Sequence, residues 1–183
     1  RTWLEEKARE NKIECSFRGI SFGGSFIVTS IHTPFARIHA LGEELMSQAK
    51  KATERKGNSV NWRILSADEE SVSDKLLKAE KPLFIEESLD GKTLSFNEYM
   101  ELCEEYKSLT GSRIHHIVGK IIEFGQDPEK LETWLLSLPE ASRDKSAIPK
   151  MLLDKKLRDP EGKLNMPRLV TLFELISLKK VGE

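Results

Sequence analysis

The chain has 183 residues, of which 38% are hydrophobic and 32% are charged, and its formal net charge is −1. This length permits one large domain or two small ones, and this composition excludes a disordered tail and a membrane protein. The charge is uneven, because residues 1–67 hold 11 Lys or Arg against 7 Asp or Glu, whereas residues 68–183 hold 18 against 23. A mildly basic first part suits an anionic ligand, although ordinary surface charge gives the same imbalance.

The two cysteines, Cys15 and Cys103, lie far apart, in a strand-like and a helix-like segment. This placement favours neither a disulfide framework nor a zinc cluster, so we expect buried thiols in a cytoplasmic protein. No apolar run reaches the ~18 residues that a membrane span needs. Because the first residue is Arg1 rather than Met, we expect the chain to start inside a larger polypeptide.

The first elements in chain order are a short helix and a strand. The stretch TWLEEKAREN predicts an amphipathic helix. The next stretch, KIECSFRGISFGGSFIVTSI, is rich in β-branched and aromatic residues, and its segment SFIVTSI is typical of a central strand. Gly19, Gly23 and Gly24 interrupt it and predict a bend, a bulge or a close backbone approach.

A second helix is predicted from Thr33 as its cap and Pro34 at its first position. Gly57 and Asn58 predict its stop, with the helix ending near Lys56. Its buried stripe recurs at steps of three or four residues: Phe35, Ile38, Leu41, Leu45, Ala49 and Ala52. The following SVNWRIL predicts a strand with one buried face, formed by every second residue: Val60, Trp62 and Ile64.

The remaining residues predict a helical bundle. The acidic, serine-rich SADEESVSDKLLKAEKP has no strong strand pattern, so we place a linker at residues 68–92, between a first domain at 1–67 and a second at 93–183. A capping box from Ser95 to Glu98 opens one helix. Others are expected at about residues 112–124, 127–138, 146–157 and 166–180. The expected fold class is therefore α/β followed by an all-α bundle.

The histidines predict no metal site. His115 and His116 are adjacent, so on a helix they point about 100° apart and cannot share a metal at i, i+4 spacing, which favours a structural role. His32 precedes a helix start, where a histidine often packs or caps. The sequence has no nucleophile elbow, no Walker-type glycine loop and no carboxylate pair at a strand end. A two-metal site therefore cannot be built from this chain alone.

Two lysines close the second helix at a point that fits two interpretations. Lys50 and Lys51 lie near the carbonyl end of the helix, where the helix dipole stabilises a cation without any function. Lys50 also lies at the margin of the buried stripe, from which its point charge can reach phosphate oxygens. The pattern alone supports both interpretations.

The run from residue 23 to residue 65 resembles the C-terminal half of the palm domain shared by GGDEF-type nucleotidyl cyclases and the large subunit of type III CRISPR effector complexes. In the cyclases, the helix ends in an AK..GRN.V pattern, which is matched here by Ala49, Lys50, Gly57, Asn58 and Val60. In the CRISPR subunit, a strand of the type SAGI.IAH.K.P leads into this helix, and His32, Thr33 and Pro34 stand at its end here. The segment GKTLSFNEYMELCEEYKSLTGSRIHHIVGKIIEF resembles the start of that subunit's C-terminal helical domain.

The resemblance implies that residues 1–67 are an incomplete ferredoxin-like palm. In the family, this palm binds ATP and acts as a nucleotidyltransferase in antiviral defence, making cyclic oligoadenylate when the complex engages target RNA. Two Mg²⁺ ions are held by a GGDD turn, which would lie upstream of Thr2, so no catalytic residue and no metal ligand is expected in this chain. Lys50 would contact the triphosphate, with Lys51 as a second candidate. The segment GGS departs from the family's Ser-x-Gly order, and the implied serine contact falls to Ser25 or Ser21.

The resemblance also implies partners, namely the other subunits of a ribonucleoprotein complex, with guide and target RNA contacted indirectly and no membrane. The acidic balance of residues 68–183 argues against strong direct RNA binding, because each phosphate contact needs a positive donor. Two hypotheses follow. One is an enzyme fragment that needs a metal-bearing half from outside the chain. The other is a catalytically inert palm that, with its helical module, serves as an assembly scaffold for neighbouring subunits.

Overall fold

The computed structural model describes residues 21–54, 57–65, 79–86, 93–138 and 147–181. Within these ranges the chain is a mixed α/β protein, mostly helical, with one three-stranded sheet and six α-helices. The strands are β1 (Gly23–Val28), β2 (Ser59–Ile64) and β3 (Leu83–Phe84). The helices are α1 (Phe35–Ala52), α2 (Phe96–Glu105), α3 (Gly111–Glu123), α4 (Pro128–Ser137), α5 (Ala147–Leu153) and α6 (Met166–Val181). The helix predicted at residues 2–11 and the segment with Cys15 lie outside the described residues.

The sheet combines a parallel and an antiparallel pair of strands. β1 pairs in parallel with β2, from Gly23 opposite Ser59 to Val28 opposite Ile64. β3 adds to the other edge of β2 in antiparallel orientation, with Phe84 opposite Ser59. Parallel neighbours need a crossover connection, and α1 supplies it. The predicted order of strand, helix and strand is confirmed for this unit.

The start and end of α1 differ from the prediction. Thr33 does not cap the helix, because its hydroxyl shares a 2.5 Å hydrogen bond with the hydroxyl of Thr29. Pro34 is the N-cap itself rather than the first helical residue, and the helix ends at Ala52 instead of near Lys56. The helix has 18 residues and spans about 27 Å, whereas the six residues of β1 span about 20 Å. The helix therefore overhangs the sheet, and the two ends of its predicted stripe are exposed.

β2 is covered on both faces, so the prediction of a single buried face was wrong. On the face toward α1, Ser59 donates a hydrogen bond to the carbonyl of Ala49 at 2.9 Å, and Asn61 is only 3% exposed. On the other face, Trp62 is fully buried and stacks on Phe26, with ring centroids 5.7 Å apart. A buried asparagine is tolerated because its amide donates to the side-chain oxygen of Gln48 at 3.0 Å.

The helical part follows its predicted boundaries closely. The capping box of Ser95 and Glu98 is confirmed, with both reciprocal hydrogen bonds formed. The helix predicted at residues 146–157 is shorter, because Asp154 caps a separate 3₁₀ turn, Lys155–Leu157. One hydrophobic cluster joins Trp62 and Leu83 to the buried residues of the helices. No helix among the described residues is long and apolar enough to span a bilayer.

Candidate functional site

The start of β1 and the end of α1 meet at Gly23, and of the three alternatives that the sequence left open here, a bend, a bulge or a close backbone approach, the structure shows the close approach. A Cβ atom added to Gly23 would lie 2.6 Å from Cγ of Lys50, 3.2 Å from the carbonyl oxygen of Met46 and 3.3 Å from the backbone nitrogen of Lys50. Only glycine leaves room for the lysine here. The aliphatic part of Lys50 therefore packs against Gly23, and Lys50 as a whole is exposed.

The ammonium groups of Lys50 and Lys51 have no ion pair or hydrogen bond within the described part of the chain. Several other lysines are paired, for example Lys120 with Glu123 at 2.7 Å and Lys150 with Glu105 at 2.7 Å. Both cations lie in the last turn of α1. Among the described residues, the strand start thus presents a positive charge that no acidic side chain pairs with, which suits an anion.

Two further residues lie at the same end of the sheet as Lys50. Asn58, one residue before β2, accepts a hydrogen bond from the backbone N–H of Phe22 at 3.1 Å. Phe22 precedes Gly23 directly, and its side chain is 54% exposed. We call the group of Phe22, Gly23, Lys50, Lys51 and Asn58 the Lys50 edge.

Ser25, the third predicted nucleotide contact, lies elsewhere. Its hydroxyl donates to the carbonyl of Gly42 at 2.9 Å, beneath the middle of α1. Gly42 precedes Lys50 by eight residues, which is about 12 Å along a helix. Lys50 and Lys51 are therefore brought together at one edge, and Ser25 is not. Ser21 is described and bonded, and its role as a contact stays a prediction.

The histidines and the carboxylates give no metal site at this edge. The described residues contain no group of three or more His, Cys, Asp or Glu side chains able to hold a metal ion. His116 instead lies edge-on against Trp134, with ring centroids 5.1 Å apart, and His32 is exposed. None of the five residues of the Lys50 edge carries a carboxylate, so they fit a triphosphate but not Mg²⁺.

A second feature is a groove of about 1020 Å³ between the start of α2 and the loop before α6. One of its lining residues is Glu80, which accepts a hydrogen bond from the Tyr99 hydroxyl at 2.6 Å and lies 3.6 Å from Nε of Arg168. Burial raises the pKa of Glu80, and the two neighbours offset part of that shift. Burial and the nearby Glu80 carboxylate also raise the pKa of Tyr99. The Tyr99 hydrogen bond and the Arg168 ion pair both act on Glu80, so they tie residues 79–86 to the bundle.

A partly buried polar joint connects the sheet to α6. The indole N–H of Trp62 donates to Glu174 at 2.9 Å, and Lys81 pairs with the same carboxylate at 3.0 Å. Lys81 also lies 5.4 Å above the Trp62 ring. Sequence reasoning missed this joint because Trp62 and Glu174 are 112 residues apart. It also missed Phe22, whose signal was a lone aromatic residue beside the glycines.

No protein-family model, curated protein or solved structure matches the chain. Function is therefore inferred from the residues of the Lys50 edge and from the motifs of the sequence.

Proposed function

We propose that the chain is part of the large subunit of a type III CRISPR effector complex, a cytoplasmic ribonucleoprotein of antiviral defence. In this proposal β1, α1 and β2 are the C-terminal half of an ATP-binding palm. The whole protein is then a nucleotidyltransferase that makes cyclic oligoadenylate on target RNA binding. Its partners are the other subunits of the complex, with guide and target RNA contacted indirectly.

The observation that carries the proposal is the placement of Lys50. Its side chain is held across Gly23 at the start of β1, and its ammonium has no partner within the described part of the chain. A lysine stabilised only by the helix dipole needs no glycine opposite its stem. A lysine that must project past a strand toward a ligand needs a glycine at that point, because any Cβ at Gly23 would displace the lysine. This arrangement supports the phosphate interpretation over simple helix termination.

In this proposal, the residues of this chain bind and orient the triphosphate. Lys50 donates charge-assisted hydrogen bonds to triphosphate oxygens, and Lys51 adds positive charge beside it. Mg²⁺, when bound to ligands outside this chain, would supply activation of the attacking hydroxyl and charge neutralisation on the phosphates. No carboxylate of the Lys50 edge takes part in that step.

The test is product formation by the full-length protein in its complex, with target RNA, ATP and Mg²⁺. Lys50→Ala should lower the rate about tenfold or more, because a hydrogen bond to a charged group contributes roughly 1.5–3 kcal/mol. Lys107→Ala is the matched control, since it removes an exposed lysine, which lies 3.7 Å from Glu104, from the bundle surface. Unchanged product formation by Lys50→Ala would remove Lys50 from the site.

A second candidate is an inert palm that serves as an assembly scaffold. The joint of Trp62, Lys81 and Glu174 favours it, because it fixes the sheet to the bundle through partly buried contacts that form without a bound nucleotide. This alternative expects no cyclic product from the wild-type protein and no GGDD-like turn directly upstream of Arg1. It also expects neighbouring subunits to separate from the complex when residues 1–183 are deleted. A cyclic product that depends on Lys50 would contradict it.

A further inference from the structure

The exposed Phe22 has a backbone that is held by two hydrogen bonds to the start of β2. Its N–H donates to the side-chain oxygen of Asn58 at 3.1 Å, and its carbonyl accepts from the N–H of Ser59 at 3.0 Å. The second bond extends the ladder between β1 and β2 by one residue. Phe22 is nevertheless 54% exposed. Exposing a phenylalanine forgoes the burial that normally stabilises it, so an aromatic ring at a fixed, open position requires a reason.

The alternation of side chains places Phe22 on the face opposite α1. Gly23 and Ser25 face α1, as their contacts with Lys50 and Gly42 show. Residues two apart in a strand share a face, so Phe22 lies on the same side as Gly24 and Phe26. Phe26 is packed against Trp62 on that side.

Gly24 leaves a gap between the two phenylalanines. A Cβ atom at Gly24 would have only the carbonyl oxygen of Ser59 within 4 Å, at 3.8 Å, so the space above this residue is open. Phe22 and Phe26 are four positions apart, which is about 13 Å along a strand. The exposed ring of Phe22 at this position offers a face on which a nucleobase can stack. Aromatic stacking of this kind accepts any base, because every base has a π-face.

Phe22 and Lys50 lie at the same end of β1, but on opposite faces of the sheet. Adjacent Cα atoms are about 3.8 Å apart, so the ring of Phe22 begins one residue from the glycine that Lys50 crosses. A nucleoside triphosphate joins a flat base to a flexible phosphate chain through a ribose, and it can therefore contact both groups around the strand end. Asn58 adds an amide N–H₂ with no partner within the described part of the chain, suited to a ribose hydroxyl or a base edge.

We propose that Phe22 is the base-stacking residue of the nucleotide site, with the base above Gly24 and the phosphates at Lys50. This inference rests on the proposed nucleotide-binding function, and it adds the residue that distinguishes a nucleotide from a free polyphosphate. The ligand class is a nucleoside triphosphate, and Phe22 supplies affinity without base identity.

The test measures equilibrium binding of ATP and of inorganic tripolyphosphate to the full-length protein by calorimetry. Phe22→Ala should weaken ATP binding about 5- to 100-fold and leave tripolyphosphate binding within about twofold, since only ATP carries a base. Phe22→Tyr should retain ATP binding, whereas Phe22→Leu, which keeps apolar bulk without an aromatic face, should not. Lys50→Ala should weaken both ligands.

The outcomes separate the two proposals. If Phe22→Ala binds ATP as the wild type does while Lys50→Ala weakens both ligands, the stacking role is overturned and the phosphate site stands. If Phe22→Ala weakens both ligands equally, Phe22 supports the strand and does not contact a base, which also overturns the inference. If the wild type binds neither ligand, or Lys50→Ala changes neither affinity, the proposed function itself fails.

Discussion

Replacing Gly23 by alanine tests the contact on which the Lys50 edge depends. The new Cβ atom would lie 2.6 Å from Cγ of Lys50, a distance that real Cβ contacts do not show, so the lysine stem must move. It would also lie 3.2 and 3.3 Å from two backbone atoms of α1, the carbonyl oxygen of Met46 and the nitrogen of Lys50. The lysine can rotate, but the helix backbone must shift by a few tenths of an ångström.

The expected cost follows from two opposing effects. Inserting a methyl group into a tight contact typically costs about 1–3 kcal/mol. Replacing glycine by alanine in a strand returns roughly 0.5–1 kcal/mol of backbone entropy. The net loss in the free energy of unfolding should be up to about 2.5 kcal/mol, which corresponds to as much as about 10 °C in Tm for a chain of this size.

Gly24→Ala is the matched control in the adjacent position of the same strand. Its added Cβ would meet only the Ser59 carbonyl at 3.8 Å, an ordinary contact, so its stability should be unchanged or raised by up to about 1 kcal/mol. Urea unfolding of both variants, followed by circular dichroism, makes the comparison. In a Lys50→Ala background the Gly23→Ala penalty should shrink, because the atom nearest to the new methyl group is gone. Equal stability of the two single variants would refute the close approach of α1 to β1.

Three further predictions concern the joint and the buried acids. Trp62→Phe should lower the free energy of unfolding in urea by about 1–3 kcal/mol, because it removes the indole N–H that donates a hydrogen bond to Glu174 at 2.9 Å. An unchanged free energy of unfolding would show that the joint does not stabilise the fold. Burial raises the pKa of Glu80, so wild-type stability relative to Glu80→Gln should fall as pH rises from below 4.5 through the folded pKa; a pH-independent difference would contradict this. Burial raises the pKa of Cys103 to about 11. In a Cys15→Ser protein, iodoacetamide should therefore label the Cys103 thiol of the native protein at pH 8 far more slowly than that of the urea-unfolded protein. Equal labelling rates would place this thiol at the surface.

Much of the fold follows from local patterns in the sequence. The capping box at Ser95 and the apolar periodicity of α3, α4 and α6 are local signals, and these helices formed where they were expected. The strand β2 was also expected, but the burial of Asn61 was not. Asn61 is buried because α1 covers its face of the sheet while the bundle covers the opposite face. No local sequence pattern indicates that a second layer covers a strand.

The candidate site was predictable in part for a similar reason. The glycines before SFIVTSI indicated a close approach, and the lysine pair at the end of α1 indicated a cationic edge. Which residue crosses Gly23 is decided by the register of α1 over β1, a tertiary fact that places Lys50 there and puts Ser25 under Gly42. Thr33 was expected to cap α1 and instead bonds to Thr29, because Pro34 adopts the extended N-cap conformation itself.

The central claim is that the Lys50 ammonium contacts the phosphates of a bound nucleotide. Reductive methylation of lysines in the full-length protein, read by mass spectrometry with and without saturating ATP, tests this contact directly. Lys50 is exposed and should be methylated readily without ATP and several-fold more slowly with it, whereas Lys107 should react equally in both. Methylation of Lys50 at the same rate in both conditions would contradict the claim.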